Sequence, residues 1–298
     1  MNTKDVMRLL APPLFLDLGK RLHRKAKYLI SNVSDIEFEY IPDGWNYVAR
    51  YHQAGGWDSV HVLETYKRKW LQFNTKVEGN SPLGFSHEGD LTTNTDLSQH
   101  NTIMTFAYSV TLASRNLNTL SILDWGGGIG HYYLLVKSVL PNVVIEYHCK
   151  DLPIFTTFGQ ELFSDQHFYT DNSCLKRRYD FVMASSSLNY SEDWENVLAA
   201  LAGASQGYLF VTRLPTVVEA PSFVYIQRPY SFGYNTEYLG WCLNRTTFLT
   251  TAQTLDLSLV REFIVSEFPH IHKGPEQPVS RGFLFRARID SETESEAT

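Results

Sequence analysis

One short segment constrains this chain more than any other: Ser121-Ile122-Leu123-Asp124-Trp125-Gly126-Gly127-Gly128-Ile129-Gly130. An apolar run enters a glycine cluster, and a helical stretch, His131 to Leu140, comes directly after it. In an open α/β sheet ligands bind beyond the carboxyl ends of strands. Glycines there allow positive φ and a close backbone approach, and a helix N-terminus offers free N–H groups to an anion. The dinucleotide fingerprint Gly-x-Gly-x-x-Gly fails in both registers: starting at Gly126 it needs glycine where His131 stands, and starting at Gly128 it needs glycine where Tyr133 stands. What is present is acid-x-Gly-x-Gly-x-Gly, on Asp124, Gly126, Gly128 and Gly130, with Gly127 inside it. A carboxylate at the head of the loop would repel a pyrophosphate and favour the ammonium and sulfonium of S-adenosylmethionine. The alternative is a glycine-rich structural turn with a surface aspartate.

The next β-rich run, Val143 to Cys149, leads into Asp151-Leu152-Pro153. An acid about 20 residues beyond the glycines is where a ribose-binding carboxylate is expected. Asp151 therefore reads as the ribose ligand with Leu152 beside it, although a turn or helix cap would use the same residue. Glu146 competes but lies mid-strand. After the third run, Asp171-Asn172-Ser173 could meet an adenine amine, or could be ordinary turn chemistry.

From about residue 119 short β-rich runs alternate with helical ones: Leu120–Asp124, Val143–Cys149, His167–Thr170, Phe181–Ser185, Tyr208–Thr212, Leu259–Glu267 and Gly282–Ile289. This predicts a doubly wound α/β fold, a parallel sheet with helices on both faces, in which the last two runs pair antiparallel. Apolar spacing predicts helices over 57–77 and 98–116, with a polar loop over 78–96. The predicted division is a helical annex or substrate cap over 1–115, a cofactor domain over 116–290 and an acidic disordered tail over 291–298. Residues 1–30 carry a Pro12-Pro13 break, then Lys20, Arg21, Arg24, Lys25 and Lys27. They read as two short helices with a solvated basic face, or as an amphipathic foot on anionic lipid.

Composition narrows the classes. A formal charge of −6 disfavours nucleic acid as a partner. Three cysteines far apart, Cys149, Cys174 and Cys242, give neither a disulfide framework nor a zinc knuckle and fit a reducing cytoplasm. No apolar run reaches the roughly 20 residues of a membrane span. The N-terminal apolar stretch, broken by Pro12, Pro13 and Asp17, does not read as a signal peptide.

On the glycine loop and Asp151-Leu152-Pro153 the chain resembles the class I S-adenosylmethionine-dependent methyltransferases. Leu123-Asp124-Trp125-Gly126-Gly127-Gly128-Ile129-Gly130-His131-Tyr132-Tyr133, the upstream Gly-Trp segments and Thr212-Arg213-Leu214-Pro215 resemble one branch, a family of methyltransferases associated with surface-polysaccharide biosynthesis in bacteria. The resemblance covers most of 40–290. It implies a three-layer, Rossmann-like seven-stranded sheet of order 3-2-1-4-5-7-6, with S-adenosyl-L-methionine held by Asp124, Gly126, Gly128, Gly130 and Asp151.

The fourth run, Tyr179 to Tyr190, would then point its C-terminal end at the sulfonium. It lacks the Asn/Asp-Pro-Pro-Tyr clamp for a base amine, and 184–188 lacks an acid for a divalent ion. No metal is expected. Ser185 and Tyr190 could line a pocket, or simply belong to a polar loop. A hydroxyl acceptor needs a base, and His100 is the selected candidate over His87, His131 and the His270/His272 pair. Residues 223–241, rich in aromatics including Tyr225, with Arg213 and Arg228 nearby, read either as a sugar- and phosphate-binding wall or as a hydrophobic lid. The expected reaction is O-methylation of a small acceptor, such as a nucleotide- or lipid-linked sugar. The alternatives are another small metabolite, an RNA, or a non-catalytic cofactor-binding scaffold.

Overall fold

The structure, a computed structural model, describes residues 36–47, 56–86 and 96–288. The chain divides into two units, Met1–Glu37 and Phe38–Thr298, and the second holds every strand and α-helix of the described residues. The basic segment 1–30, His87 and the acidic tail lie outside the described residues.

In chain order the strands and α-helices are β1 (Phe38–Tyr40), α1 (Val60–Glu78), α2 (Leu97–Ala113), β2 (Thr119–Trp125), α3 (His131–Val139), β3 (Val144–Lys150), α4 (Pro153–Leu162), β4 (His167–Tyr169), β5 (Tyr179–Ser185), α5 (Trp194–Ala204), β6 (Ser205–Val217), β7 (Phe223–Gln227), β8 (Tyr238–Asn244), α6 (Arg245–Thr254), β9 (Leu257–Glu267), β10 (Ile271–His272) and β11 (Val279–Ala287). Local chemistry sets several boundaries. Asp96 caps α2, accepting from the N–H groups of Ser98 at 2.9 Å and Gln99 at 3.2 Å. Pro153 opens α4, where a missing N–H costs nothing. Strand β2 is buried at every position but its first, as a central parallel strand covered on both faces must be.

Strand β2 pairs in parallel with β3 and β5, β3 with β4, and β5 with β6; β11 then runs antiparallel between β6 and β9. The path β4-β3-β2-β5-β6-β11-β9 has the order 3-2-1-4-5-7-6. This is the doubly wound α/β arrangement. Among the described residues the sheet has eleven strands, more than the seven expected, because β6 is 13 residues long and its end, past β5, pairs with β8 on one side while β11 stays on the other; β8 continues through β7 and β1 to β10.

One face of the sheet packs Leu123, Val182 and Leu209 against Leu198 of α5 and Phe248 of α6. The other packs Ile122, Phe181 and Phe210 against Phe106 and Val110 of α2 and Val136 of α3. Helix α2 is thus part of a sheet layer, and a boundary near residue 116 would cut through one hydrophobic core. Residues 223–241 also depart from expectation. They supply β7 and the start of β8, and every residue of β7 is buried, so Phe223 and Tyr225 are sheet interior, while Tyr230 and Phe232 between the two strands are exposed.

Candidate cofactor and acceptor site

The glycine loop leaves β2 with left-handed backbone at Gly126 (φ +72°), Gly128 (φ +60°) and Gly130 (φ +85°), a region costly for residues with a Cβ. Gly127 is needed for space: a Cβ there would stand 2.5 Å from the Asp124 carboxyl and 2.8 Å from Cys149 Sγ. Two further contacts shape the loop. The Gly126 N–H donates to the Lys150 carbonyl at 2.8 Å. The Gly128 N–H donates to Asp151 Oδ2 at 2.7 Å, while the Leu152 N–H donates to Oδ1 at 2.6 Å. Asp151, half-buried at the end of β3, therefore sits where sequence placed it and ties the second strand to the glycine loop. Each oxygen keeps a further acceptor direction. Burial pushes its pKa up, and the two N–H bonds and Lys150 pull against that rise.

Asp124 is not the surface aspartate of a structural turn. It is fully buried beneath the loop, with Oδ2 accepting from the Tyr147 hydroxyl and Oδ1 without a partner. Burial lifts its pKa from 3.8 to about 7. A side chain placed in this way supports the loop from below. The strand alternates, so Asp124 shares the face of Ile122, toward Tyr147 and Cys149.

Helix α1 covers the other side of the loop. Val62 and Tyr66 pack with Ile129 and Phe155, joined by Leu152 and Trp57. The Tyr66 ring comes so near Gly128 that a Cβ there would meet Cε2 at 3.6 Å. Apolar spacing identifies this helix but not Tyr66 as a neighbour of the loop. Apolar spacing marks Tyr66 and Phe73, which are buried, but it also marks Val60, which is exposed, in place of the buried Val62.

At the end of β5, Ser185, Ser186 and Ser187 are all half-exposed. Ser186 holds φ +50°, a strained conformation for a residue with a Cβ. Ser187 Oγ donates to the Trp125 carbonyl at 2.7 Å, so this loop rests on the shoulder of the glycine loop. Ser185 Oγ pairs with the Tyr132 hydroxyl at 2.8 Å, a partner that no sequence signal marks. The Tyr190 hydroxyl donates to Gln227 Oε1 at 3.0 Å, and its ring stands edge-on to Trp57 at 5.2 Å and to Tyr238 at 5.2 Å.

The remaining candidates separate. Tyr225 is only 2% exposed, its hydroxyl taken by Asn189 Nδ2 at 3.1 Å; it is a core residue of β7, not a pocket wall. Arg213 (φ +54°) pairs with Glu267 at 3.0 Å. Arg228 pairs with both Glu39 at 3.0 Å and Glu237 at 3.1 Å. Both guanidiniums are thus engaged by carboxylates of the chain, which weakens the phosphate-binding part of the expectation. Asp171 is exposed and accepts from the Ser173 N–H at 2.9 Å, the turn role that competes with adenine binding; its bonds to Ser173 hold its pKa down. His100 lies in the first turn of α2, its Nδ1 buried without a partner; no hydrogen bond joins it to Ser185 or the glycine loop. Among the described residues no group of three or more His, Cys, Asp or Glu side chains could hold a metal, and no helix is long and apolar enough to cross a membrane.

No family model matches this chain, and no curated protein matches it. It does resemble solved structures. An S-adenosylmethionine-dependent methyltransferase from Clostridium acetobutylicum is 11% identical, with 63% of this chain and 92% of that chain covered at a TM-score of 0.43. A SAM-dependent methyltransferase from Methanosarcina mazei is 12% identical, with 60% and 98% covered at 0.46. The 1,6-didemethyltoxoflavin-N1-methyltransferase of Burkholderia thailandensis, bound to 1,6-didemethyltoxoflavin and S-adenosylhomocysteine, is 13% identical, with 65% and 82% covered at 0.43.

Proposed function

We propose that this chain is an S-adenosylmethionine-dependent methyltransferase acting on the hydroxyl of a small acceptor, in the cytoplasm. The observation that carries the reading is the Asp151 carboxylate at the end of β3, bonded to the Gly128 N–H of a loop with left-handed glycines at three positions. The residues present fit the cofactor. Asp151 offers acceptor directions to a ribose diol, Leu152 an apolar face to the adenine, and the loop an approach that a side chain at Gly126 or Gly128 would obstruct. Asp171, at the turn after β4, is the candidate for the adenine amine. When bound, the group supplies an electrophilic methyl on a sulfonium. The protein's task is alignment, since methyl transfer is an in-line displacement that gains chiefly from positioning.

Ser185, as a cofactor contact, and Tyr190, as an acceptor contact, flank the loop bearing on Trp125, where the acceptor would meet the methyl. His100 is proposed as the base that takes the hydroxyl proton, supported by its unpartnered Nδ1. A sugar of a surface polysaccharide or its precursor fits this reading. The paired states of Arg213 and Arg228 favour a form that does not depend on phosphate contacts at those residues.

Calorimetric titration with S-adenosylmethionine, S-adenosylhomocysteine and NAD tests the cofactor. Micromolar binding of the first two, lost in Asp151→Ala, is expected; preference for NAD, or no binding, would overturn the reading. With the cofactor established, His100→Ala should lower turnover about 100-fold and leave S-adenosylhomocysteine affinity unchanged. Unchanged turnover would remove His100 from the mechanism.

A further inference from the structure

Trp57 and Tyr190, both half-buried and backed by the buried Tyr238, form an aromatic wall beside the glycine loop. Trp57 and Tyr238 stack at 4.2 Å with an interplanar angle of 19°, and Tyr190 closes edge-on against both. The wall is built rather than incidental. The Gly56 N–H donates to the Glu237 carbonyl at 2.9 Å, and Thr236 Oγ1 donates to the Gly56 carbonyl at 2.6 Å, so the backbone before Trp57 is pinned to the segment entering β8. Tyr190 is fixed by Gln227. The wall adjoins the cofactor loop on two sides: Trp57 packs in the cluster that contains Ile129 and Leu152, and the loop carrying Tyr190 is bonded through Ser187 to the Trp125 carbonyl.

Two polar atoms of this neighbourhood are buried and unpartnered. One is a donor, Trp57 Nε1, and the other an acceptor, Asn189 Oδ1; Asn189 is 1% exposed and holds Tyr225 with its amide nitrogen. A buried polar group without a partner is costly, so each such atom calls for an explanation. A ligand hydroxyl accepts from an indole N–H and donates to an amide oxygen, so hydroxyl groups answer both. An ammonium group cannot accept from Trp57. Anions are disfavoured in turn, because Arg228 is shared by two carboxylates and the trio carries net negative charge.

We infer that this wall is the acceptor subsite and that the acceptor is an uncharged ring bearing hydroxyl groups, its face on the aromatics and its hydroxyls on Trp57 Nε1 and Asn189 Oδ1. This rests on the methyltransferase reading and narrows its substrate. A pyranose and a phenol share the required chemistry, an apolar ring face with hydroxyl edges.

The test uses the full chain with S-adenosylhomocysteine added. Uncharged probes (methyl glucopyranoside, methyl mannopyranoside, catechol) are compared by NMR with charged ones (glucose 6-phosphate, glucuronate, glucosamine), tracking ligand saturation transfer and the Trp57 indole N–H resonance. The uncharged probes should bind and shift that resonance, pyranosides or catechol telling which source applies. Trp57→Phe, which keeps a ring and removes the donor, should weaken them about tenfold, the worth of one hydrogen bond, with S-adenosylhomocysteine affinity unchanged. Preference for any charged probe, binding of none, or an unaltered affinity in Trp57→Phe would overturn the inference. Should that variant not fold, the wild-type ranking and resonance decide. Calorimetry on the same sample keeps the two readings apart: failure to bind S-adenosylhomocysteine overturns the methyltransferase reading itself, whereas normal binding with silent probes overturns only the acceptor assignment.

Discussion

Adjacent glycines in one loop answer to different physics. Gly127 is constrained by volume, since its missing Cβ would overlap the Asp124 carboxyl and Cys149 Sγ. Gly128 is constrained by conformation and by what approaches it: its φ is +60°, and a Cβ would find ordinary contact with Tyr66 at 3.6 Å. Gly127→Ala should therefore act on folding, lowering stability by about 1–3 kcal/mol as overpacked interiors do. Gly128→Arg should act on binding, leaving a folded protein, with about 1–2 kcal/mol of left-handed strain, that takes up no S-adenosylhomocysteine. Thermal melts and calorimetry on the two variants separate these effects. A neutral Gly127→Ala would mean that the strand beneath the loop yields; a Gly128→Arg variant that still binds would place the cofactor elsewhere.

At the scale of elements, β1 and β7 extend the sheet beyond the strands of the doubly wound core, and Arg228 links them to the segment before β8 through Glu39 and Glu237. Removing the guanidinium leaves two half-buried carboxylates facing one another. Arg228→Ala should cost about 2 kcal/mol, below the range for fully buried pairs because water still reaches this one, and Arg228→Met with Glu39→Gln and Glu237→Gln should recover part of it. Hydrogen exchange should show the loss concentrated in β1, β7 and β8; a uniform loss, or none, would mean that backbone pairing alone holds these strands. The same region shows where sequence reading stops. The β-α alternation from β2 to β6 is legible because each strand meets its helix within a short stretch of chain. The strands β1 and β10 pair only across most of the chain, and are three and two residues long. In β7 every residue is buried, so the alternation that marks a half-buried strand is absent, and its aromatic residues look like a ligand surface. The position of Asp151, after β3 and against the glycine loop, is legible from spacing alone. The burial of Asp124 is not, since it depends on Tyr147 from the neighbouring strand.

Stability of the whole molecule as a function of pH brings two buried groups into opposition. Asp124, pressed by burial and by the nearby Asp151 against the downward pull of its Tyr147 hydrogen bond, has its pKa raised from 3.8 to about 7. The folded state then holds a proton between those values that the unfolded state has released, so stability falls as pH rises from about 4 to 7. With each pH unit worth about 1.4 kcal/mol, the full loss is roughly 4 kcal/mol. His148, on the opposite face of β3, is 1% exposed, stacked on His167 at 4.4 Å and bonded through Nδ1 to the Tyr169 hydroxyl at 2.9 Å. Burial, His167 and Arg177 lower its pKa from 6.5 to about 4. Here the unfolded state takes up the proton first, so stability is lost as pH falls from 6.5 to 4, by roughly 3 kcal/mol. Between about pH 4 and 6.5 the two slopes oppose and nearly cancel in the wild-type protein. Asp124→Asn, which keeps an acceptor for Tyr147, should expose the histidine slope, with Tm climbing from about pH 4.5 to 6.5. His148→Asn, which can still meet Tyr169, should expose the carboxylate slope, with Tm declining over the same interval. The double variant should return to a profile close to the wild-type one, because the side chains lie on opposite faces of the sheet and their effects should add. Melting curves of the four proteins at half-unit steps of pH decide the matter. Parallel profiles for all four would mean that neither group changes its proton occupancy on folding and that the ionised Asp124 is accommodated beneath the loop.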